Sequence, residues 1–163
     1  MATRAKSSPR RLRAAGITTG KRPPSLQVGA LCWRVSGKGL RILLITSRDT
    51  GRWVIPKGWP MKKRTDWEAA AREAWEEAGV EGVIAPQSIG LYTYRKVLQG
   101  GSFIPCAVRV YPLEVQSMRR EYPEIGQRSS KWFSIKKAAR RVEEPELAAL
   151  IRGFEPWTEP KQA

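Results

Sequence analysis

Residues 66–79 read Asp-Trp-Glu-Ala-Ala-Ala-Arg-Glu-Ala-Trp-Glu-Glu-Ala-Gly. No other stretch constrains the chain as much. At about 100° per residue, Glu73, Glu76 and Glu77 fall within an arc of about 100° on a helix. Trp67, Ala70, Ala71, Ala74 and Ala78 fall on the opposite side. Thr65-x-x-Glu68 is a capping box that starts the helix at about Asp66. Gly79 is a C′ residue that stops it. The run therefore predicts a helix over about 66–78, with one face that packs and one that carries three carboxylates.

Crowded carboxylates need a reason. Like charges at i,i+3 and i,i+4 cost roughly 0.2–0.5 kcal/mol per pair, and no Lys lies between these three to relieve it. Ala69 falls within the same arc and leaves space above the helix. A solvated acidic face is the plain alternative. A hard divalent cation explains the cluster better, because it reverses the sign of the repulsion. Mg²⁺ takes oxygen ligands at ~2.0–2.1 Å and bridges carboxylates to substrate phosphates.

The surrounding residues resemble the Nudix box, G-x₅-E-x₇-R-E-U-x-E-E-x-G-U. Gly58, Arg72, Glu73, Ala74, Glu76, Glu77, Gly79 and Val80 take its positions. One position departs: Arg64 stands where the first glutamate of the box belongs. In the family that glutamate chiefly holds the box arginine. Glu68 is i,i+4 to Arg72 in the favourable order, so it is expected to take over that role. The resemblance covers roughly residues 27–153. It implies a hydrolase that cleaves a nucleoside diphosphate linked to another moiety, or a related pyrophosphate. It implies Mg²⁺ or Mn²⁺ held by Glu73, Glu76 and Glu77, one of which could double as the base. The carbonyl of Lys57 is a further implied ligand, and Glu121 or Glu124 is a candidate from the late loop. Gly58, Glu68, Arg72 and Gly79 are the structural residues of the box.

Within the superfamily the chain is most similar to the diphosphoinositol polyphosphate phosphohydrolase branch. The matching residues are Cys32-Trp33-Arg34, Leu43-Leu44-Ile45-Thr46-Ser47-Arg48, Trp53-Val54-Ile55-Pro56 and Lys131-Trp132-Phe133-Ser134-Ile135. That branch has glycines after the proline, where this chain has Lys57 and Trp59 around Gly58.

A length of 163 residues fits one domain with a substantial core. No apolar run reaches the ~18 residues of a membrane span, so no membrane partner is expected. Cys32 and Cys106 sit in apolar strand-like runs and read as buried free thiols of a reducing, cytoplasmic compartment. There is no histidine. That excludes Ser-His-Asp and Cys-His catalysis and the usual zinc sites.

The formal net charge is +15. Seven cations and no acid lie in residues 1–25, which read as a basic flexible tail rather than a mitochondrial targeting peptide. The remaining +8 points to a polyanionic partner, either a phosphate-rich small molecule or RNA.

Residues 26–155 read as the domain and 156–163 as a C-terminal tail. Strands are expected at 27–35, 41–47, 82–85, 89–98, 103–115 and 131–134, with helices at about 135–142 and 144–153. Mixed strands with the box helix on one face and the C-terminal helices on the other predict an α/β/α sandwich. Arg48, Lys57, Arg95 and Lys96 flank the loops around the box and are the candidates for substrate phosphates. Trp59 is expected to pack, although it could also lie over a base. Tyr92 and Tyr94 share one face of a strand, either in the cleft or in the core.

Three functions follow. The favoured one is hydrolysis of a polyphosphorylated small molecule, such as a dinucleoside polyphosphate or a diphosphoinositol polyphosphate. The others are RNA 5′-end pyrophosphohydrolysis and non-catalytic nucleotide binding. RNA action requires that Arg119, Arg120, Arg128 and Lys131 converge into a basic strip.

Overall fold

The structure, a computed structural model, describes residues 23–156. Most of the basic N-terminal segment and all but the first residue of the C-terminal one lie outside the described residues. Eight strands form one mixed sheet: β1 (Ser25–Ser36), β2 (Gly39–Thr46), β3 (Trp53–Val54), β4 (Lys57–Gly58), β5 (Val80–Ile84), β6 (Gly90–Val97), β7 (Phe103–Met118) and β8 (Ser130–Ser134). Three helices join them: α1 (Asp66–Ala78), α2 (Ile135–Arg141) and α3 (Pro145–Arg152). The central path is β3-β2-β1-β7-β5, with β4 paired to β1, β6 to β7 and β8 to β2. β1 and β7 run parallel, from Ser25 opposite Cys106 to Trp33 opposite Glu114. The other pairings are antiparallel.

The two-residue period of the strands sorts side chains into two cores. Val28, Ala30 and Cys32 of β1, with Leu43 and Ile45 of β2, face α1 and pack on Ala70, Ala74 and Ala78. Leu31 and Trp33, with Ile42 and Leu44, face α2 and α3 and pack on Ala138, Leu147 and Ile151. A strand covered on both faces reads as a continuous apolar run, and Leu26–Trp33 is buried throughout. The predicted α/β/α sandwich is the observed fold.

Strand ends differ from the sequence reading. β5 starts at Val80, directly after the helix, because Gly79 turns the chain with φ 70°. Gly82 lies inside β5 at a bulge. A Cβ there would sit 1.9 Å from the Glu114 carbonyl oxygen, so the strand requires glycine. β7 continues to Met118 because β5 offers it a longer partner. Cys32 and Cys106 are buried and free. Among the described residues no helix is long and apolar enough to cross a membrane.

Candidate active site

The box helix forms as its sequence prescribes. Thr65 has extended backbone, and its hydroxyl accepts the Glu68 N–H at 3.2 Å. Gly79 closes the other end, donating to the carbonyls of Ala74 and Trp75. The carboxylate face is not solvated: Glu73, Glu76 and Glu77 are 6–7% exposed.

The loop after β3 lies on that face. The Pro56 carbonyl accepts the Ala30 N–H at 3.0 Å, and β4 pairs Lys57 and Gly58 with Gly29 and Val28. Gly58 then presses directly on Glu73. A Cβ at residue 58 would meet the Glu73 carboxylate carbon at 2.3 Å and would displace that carboxylate.

Each carboxylate has a definite setting. The Lys57 backbone N–H donates to Glu77 Oε2 at 3.1 Å, and Arg128 Nη2 donates to Glu77 Oε1 at 3.3 Å. Arg128 Nη1 also reaches the Thr46 carbonyl at 3.2 Å. Arg72 Nε donates to Glu76 Oε1 at 3.1 Å. The Glu124 N–H donates to the Glu76 carbonyl at 3.0 Å, which ties the loop after β7 to the same turn of α1.

Burial pushes the Glu77 carboxyl up to about 8, and Glu73 adds to this, while Arg128 and Lys57 pull against it. Burial also brings the Lys57 ammonium down to about 8, with Arg52, Arg128 and Lys96 acting in the same direction and Glu77 opposing. Three neighbouring carboxylates held out of water on one helix face fit a hard cation. Among the described residues no three such side chains already converge as a complete cage. Carboxylate oxygens are the donors of a hard ion that also keeps waters and takes oxygens from a substrate.

Glu73 and Glu77 form part of the wall of a cleft of about 860 Å³. Arg48, Lys57, Arg95 and Lys96, all inferred from sequence, line it too, as does Trp59. Glu76 is buried beside its neighbours but is not among the lining residues. Trp59, expected to pack, is instead half-buried on the cleft wall and in neither core. Trp67 packs as expected, 6.4 Å from the Tyr111 ring. Tyr92 is core and Tyr94 lines the cleft, so the shared face serves both purposes. Glu124 lines the cleft, whereas Glu121 is exposed elsewhere.

One expectation is corrected. Glu68 does not hold Arg72. The guanidinium turns to Glu76 and lies 4.4 Å from the Trp75 ring centroid, while Glu68 is exposed. Both glutamates are i,i+4 to Arg72. The buried one wins because a countercharge is worth more to a desolvated carboxylate than to one in water.

Several lining residues are not among the substrate contacts expected from sequence, including Arg52, Lys62, Arg128 and Gln27. Arg52 directly precedes the Trp53-Val54-Ile55-Pro56 run, so its place before the site loop was the available signal. From sequence, Arg128 is only one of the cations that an RNA strip requires. Gln27 sits in a buried strand, and a buried polar residue among apolar ones is a signal of a partner.

A NUDIX domain description matches residues 25–157. Nudix hydrolase 16, mitochondrial, of Arabidopsis thaliana is 35% identical over 130 residues, covering 77% of this chain and 72% of that protein. Human diphosphoinositol polyphosphate phosphohydrolase 3-beta is 26% identical over 117 residues, 70% of this chain and 66% of that protein. The chain spans about half the length of two further Arabidopsis relatives, Nudix hydrolases 13 and 12. Among solved structures, the Ap4A hydrolase of C. elegans superposes with a TM-score of 0.55 at 20% identity, over 78% of this chain and 92% of that one. Box, fold and relatives agree: the chain belongs to the NUDIX family and is a Nudix hydrolase.

Proposed function

We propose that this chain hydrolyses a phosphoanhydride bond in a small polyphosphorylated molecule, a dinucleoside polyphosphate or a diphosphoinositol polyphosphate, with Mg²⁺ or Mn²⁺. The observation that carries the reading is the charge pattern of one cleft. Buried carboxylates of α1 lie on its wall, and seven cations share it: Arg48, Arg52, Lys57, Lys62, Arg95, Lys96 and Arg128. A phosphate chain with several charges can use that many cations, and a diphosphate cannot. The names of the human phosphohydrolase and the C. elegans Ap4A hydrolase point to the same two substrate types.

Glu73, Glu76, Glu77 and the Lys57 carbonyl would hold the cation, which when bound supplies charge neutralisation and a more acidic water. The protein's own groups do the rest. Arg48, Lys57, Arg95 and Lys96 hold and orient the phosphates. Arg72 steadies Glu76. Gly58 lets the loop close on Glu73. Glu124, on the cleft wall, is a candidate to accept a proton.

Action on RNA 5′ ends has less support. Of Arg119, Arg120, Arg128 and Lys131, Arg128 alone is among the residues lining the cleft; Arg119 pairs with Glu81 and Lys131 lies over the Phe133 ring. The test is kcat/KM across adenosine diphosphate ribose, diadenosine tetraphosphate, a diphosphoinositol polyphosphate and 5′-triphosphorylated RNA. The two long small molecules are expected to lead. Preference for the diphosphate sugar or for RNA would overturn the substrate class.

A further inference from the structure

Arg52 lines the cleft but touches none of the box carboxylates. Glu144 holds its Nη1, and Glu143 lies 3.7 Å away. Glu144 is 7% exposed, and its Oε2 is buried with no hydrogen-bond partner. Glu144 is also the N-cap residue of α3, yet its side chain makes no capping bond. Glutamate is not one of the short side chains that cap well, so little is given up when it reaches elsewhere. This one is turned away to a guanidinium, in a buried pair whose desolvation offsets much of its attraction. As a mere tie between two loops the pair is a poor solution. As a means of aiming Arg52 it is effective. Only Nη1 of the guanidinium is held, and Nε and Nη2 make no hydrogen bond to a described residue.

The surroundings suit an anion. Arg52 Cζ lies 5.9 Å from the Tyr94 ring centroid and Lys57 Nζ lies 4.9 Å from the same ring. Tyr94 is fixed by its hydroxyl, which donates to the buried Gln27 Oε1 at 2.5 Å. Lys96 Nζ lies 5.8 Å from the Trp59 ring. All of these line one cleft.

We propose that Arg52, with Lys57 and Lys96, forms a phosphate subsite, and that Glu144 is the positioning residue that aims Arg52 into it. The inference rests on the polyphosphate reading above and assigns where one phosphate of that substrate is held.

The probe is inorganic tripolyphosphate, titrated calorimetrically into the full-length protein at ~0.15 M salt, where surface charge is largely screened. Arg52→Ala should weaken its Kd by about ten- to a hundredfold, the scale of one charge-assisted contact. Glu144→Ala should weaken it by a similar factor, and the double variant by no more than either alone. Glu144→Gln, which keeps an acceptor in place and guards against misfolding of the alanine variant, should fall between. Glu143→Ala should leave Kd unchanged. On substrate, Arg52→Ala and Glu144→Gln should raise KM while kcat holds.

A Glu144→Gln protein with a lowered Tm, an unchanged Kd and an unchanged KM would reduce the pair to a structural tie and overturn the proposal. So would an unchanged Kd for Arg52→Ala. Tripolyphosphate binding that depends on Arg52 in a protein without turnover would keep the subsite and sink the hydrolase reading. The reverse pattern would do the opposite.

Discussion

Without a bound cation, burial first and Glu73 second hold the Glu77 carboxyl up at about 8. The folded protein therefore keeps a proton that the unfolded chain loses near pH 4.5. This group's contribution to stability is complete below that pH and is lost as pH rises through about 8. A cation that takes the proton's place has to displace it. Mg²⁺ titrated at pH 7 should thus release close to one proton, and its affinity should climb with pH and level off above about 8. Calorimetry in two buffers of different ionisation heat measures this, and Glu77→Gln should abolish the release. Metal binding without proton release would contradict this account of Glu77. Gly58 offers a second residue-scale test. The methyl group of Gly58→Ala would lie 2.3 Å from the Glu73 carboxylate carbon and must push it aside. A displacement of that kind costs on the order of 10²-fold in turnover, with near-native far-UV circular dichroism.

The box helix was legible almost to the residue. Its cap, its stop and its two faces are all local properties of residues 65–79, and the structure returns a helix at Asp66–Ala78. The partner of Arg72 was not legible. Sequence gives two glutamates at i,i+4 and cannot say which is buried. Burial is set by the loop over the cleft and by β7, far away in the chain. The consequence is testable. Because the Glu68 side chain is exposed and away from Arg72, Glu68→Ala should change stability by no more than about 0.5 kcal/mol. Thr65→Ala removes the cap itself and should cost about 1 kcal/mol. Thermal unfolding of the two variants ranks them. Equal losses would mean that the Glu68 carboxylate has a partner after all. The two C-terminal helices were also foreseen, but the pairing of Glu144 with Arg52 was not, since the two residues lie far apart in the chain.

At the scale of the molecule, one sheet carries two cores, and the site lies where the box helix meets the loops around the sheet. Alternation along β1 and β2 made the two-sided sheet legible, because each strand is apolar on both faces. The cleft walls were harder to read. Arg48, Arg52, Lys57, Arg95, Lys96 and Arg128 come from separate loops and strands, and their convergence depends on the topology, chiefly the parallel β1–β7 pairing. Arg48, Lys57, Arg95 and Lys96 were legible because they flank the box loops; Arg52, Lys62 and Arg128 required the fold. On the proposed function, buried carboxylates of one helix drive cation-dependent cleavage of a phosphoanhydride. The most direct measurement is turnover of diadenosine tetraphosphate as Mg²⁺ is titrated into wild-type protein and Glu76→Gln. The wild type should be inactive in excess chelator and recover with Mg²⁺. Glu76→Gln should stay at least about 10²-fold slower at every Mg²⁺ concentration while melting as a folded protein. Full turnover in chelator, or a Glu76→Gln protein as fast as wild type, would contradict the account.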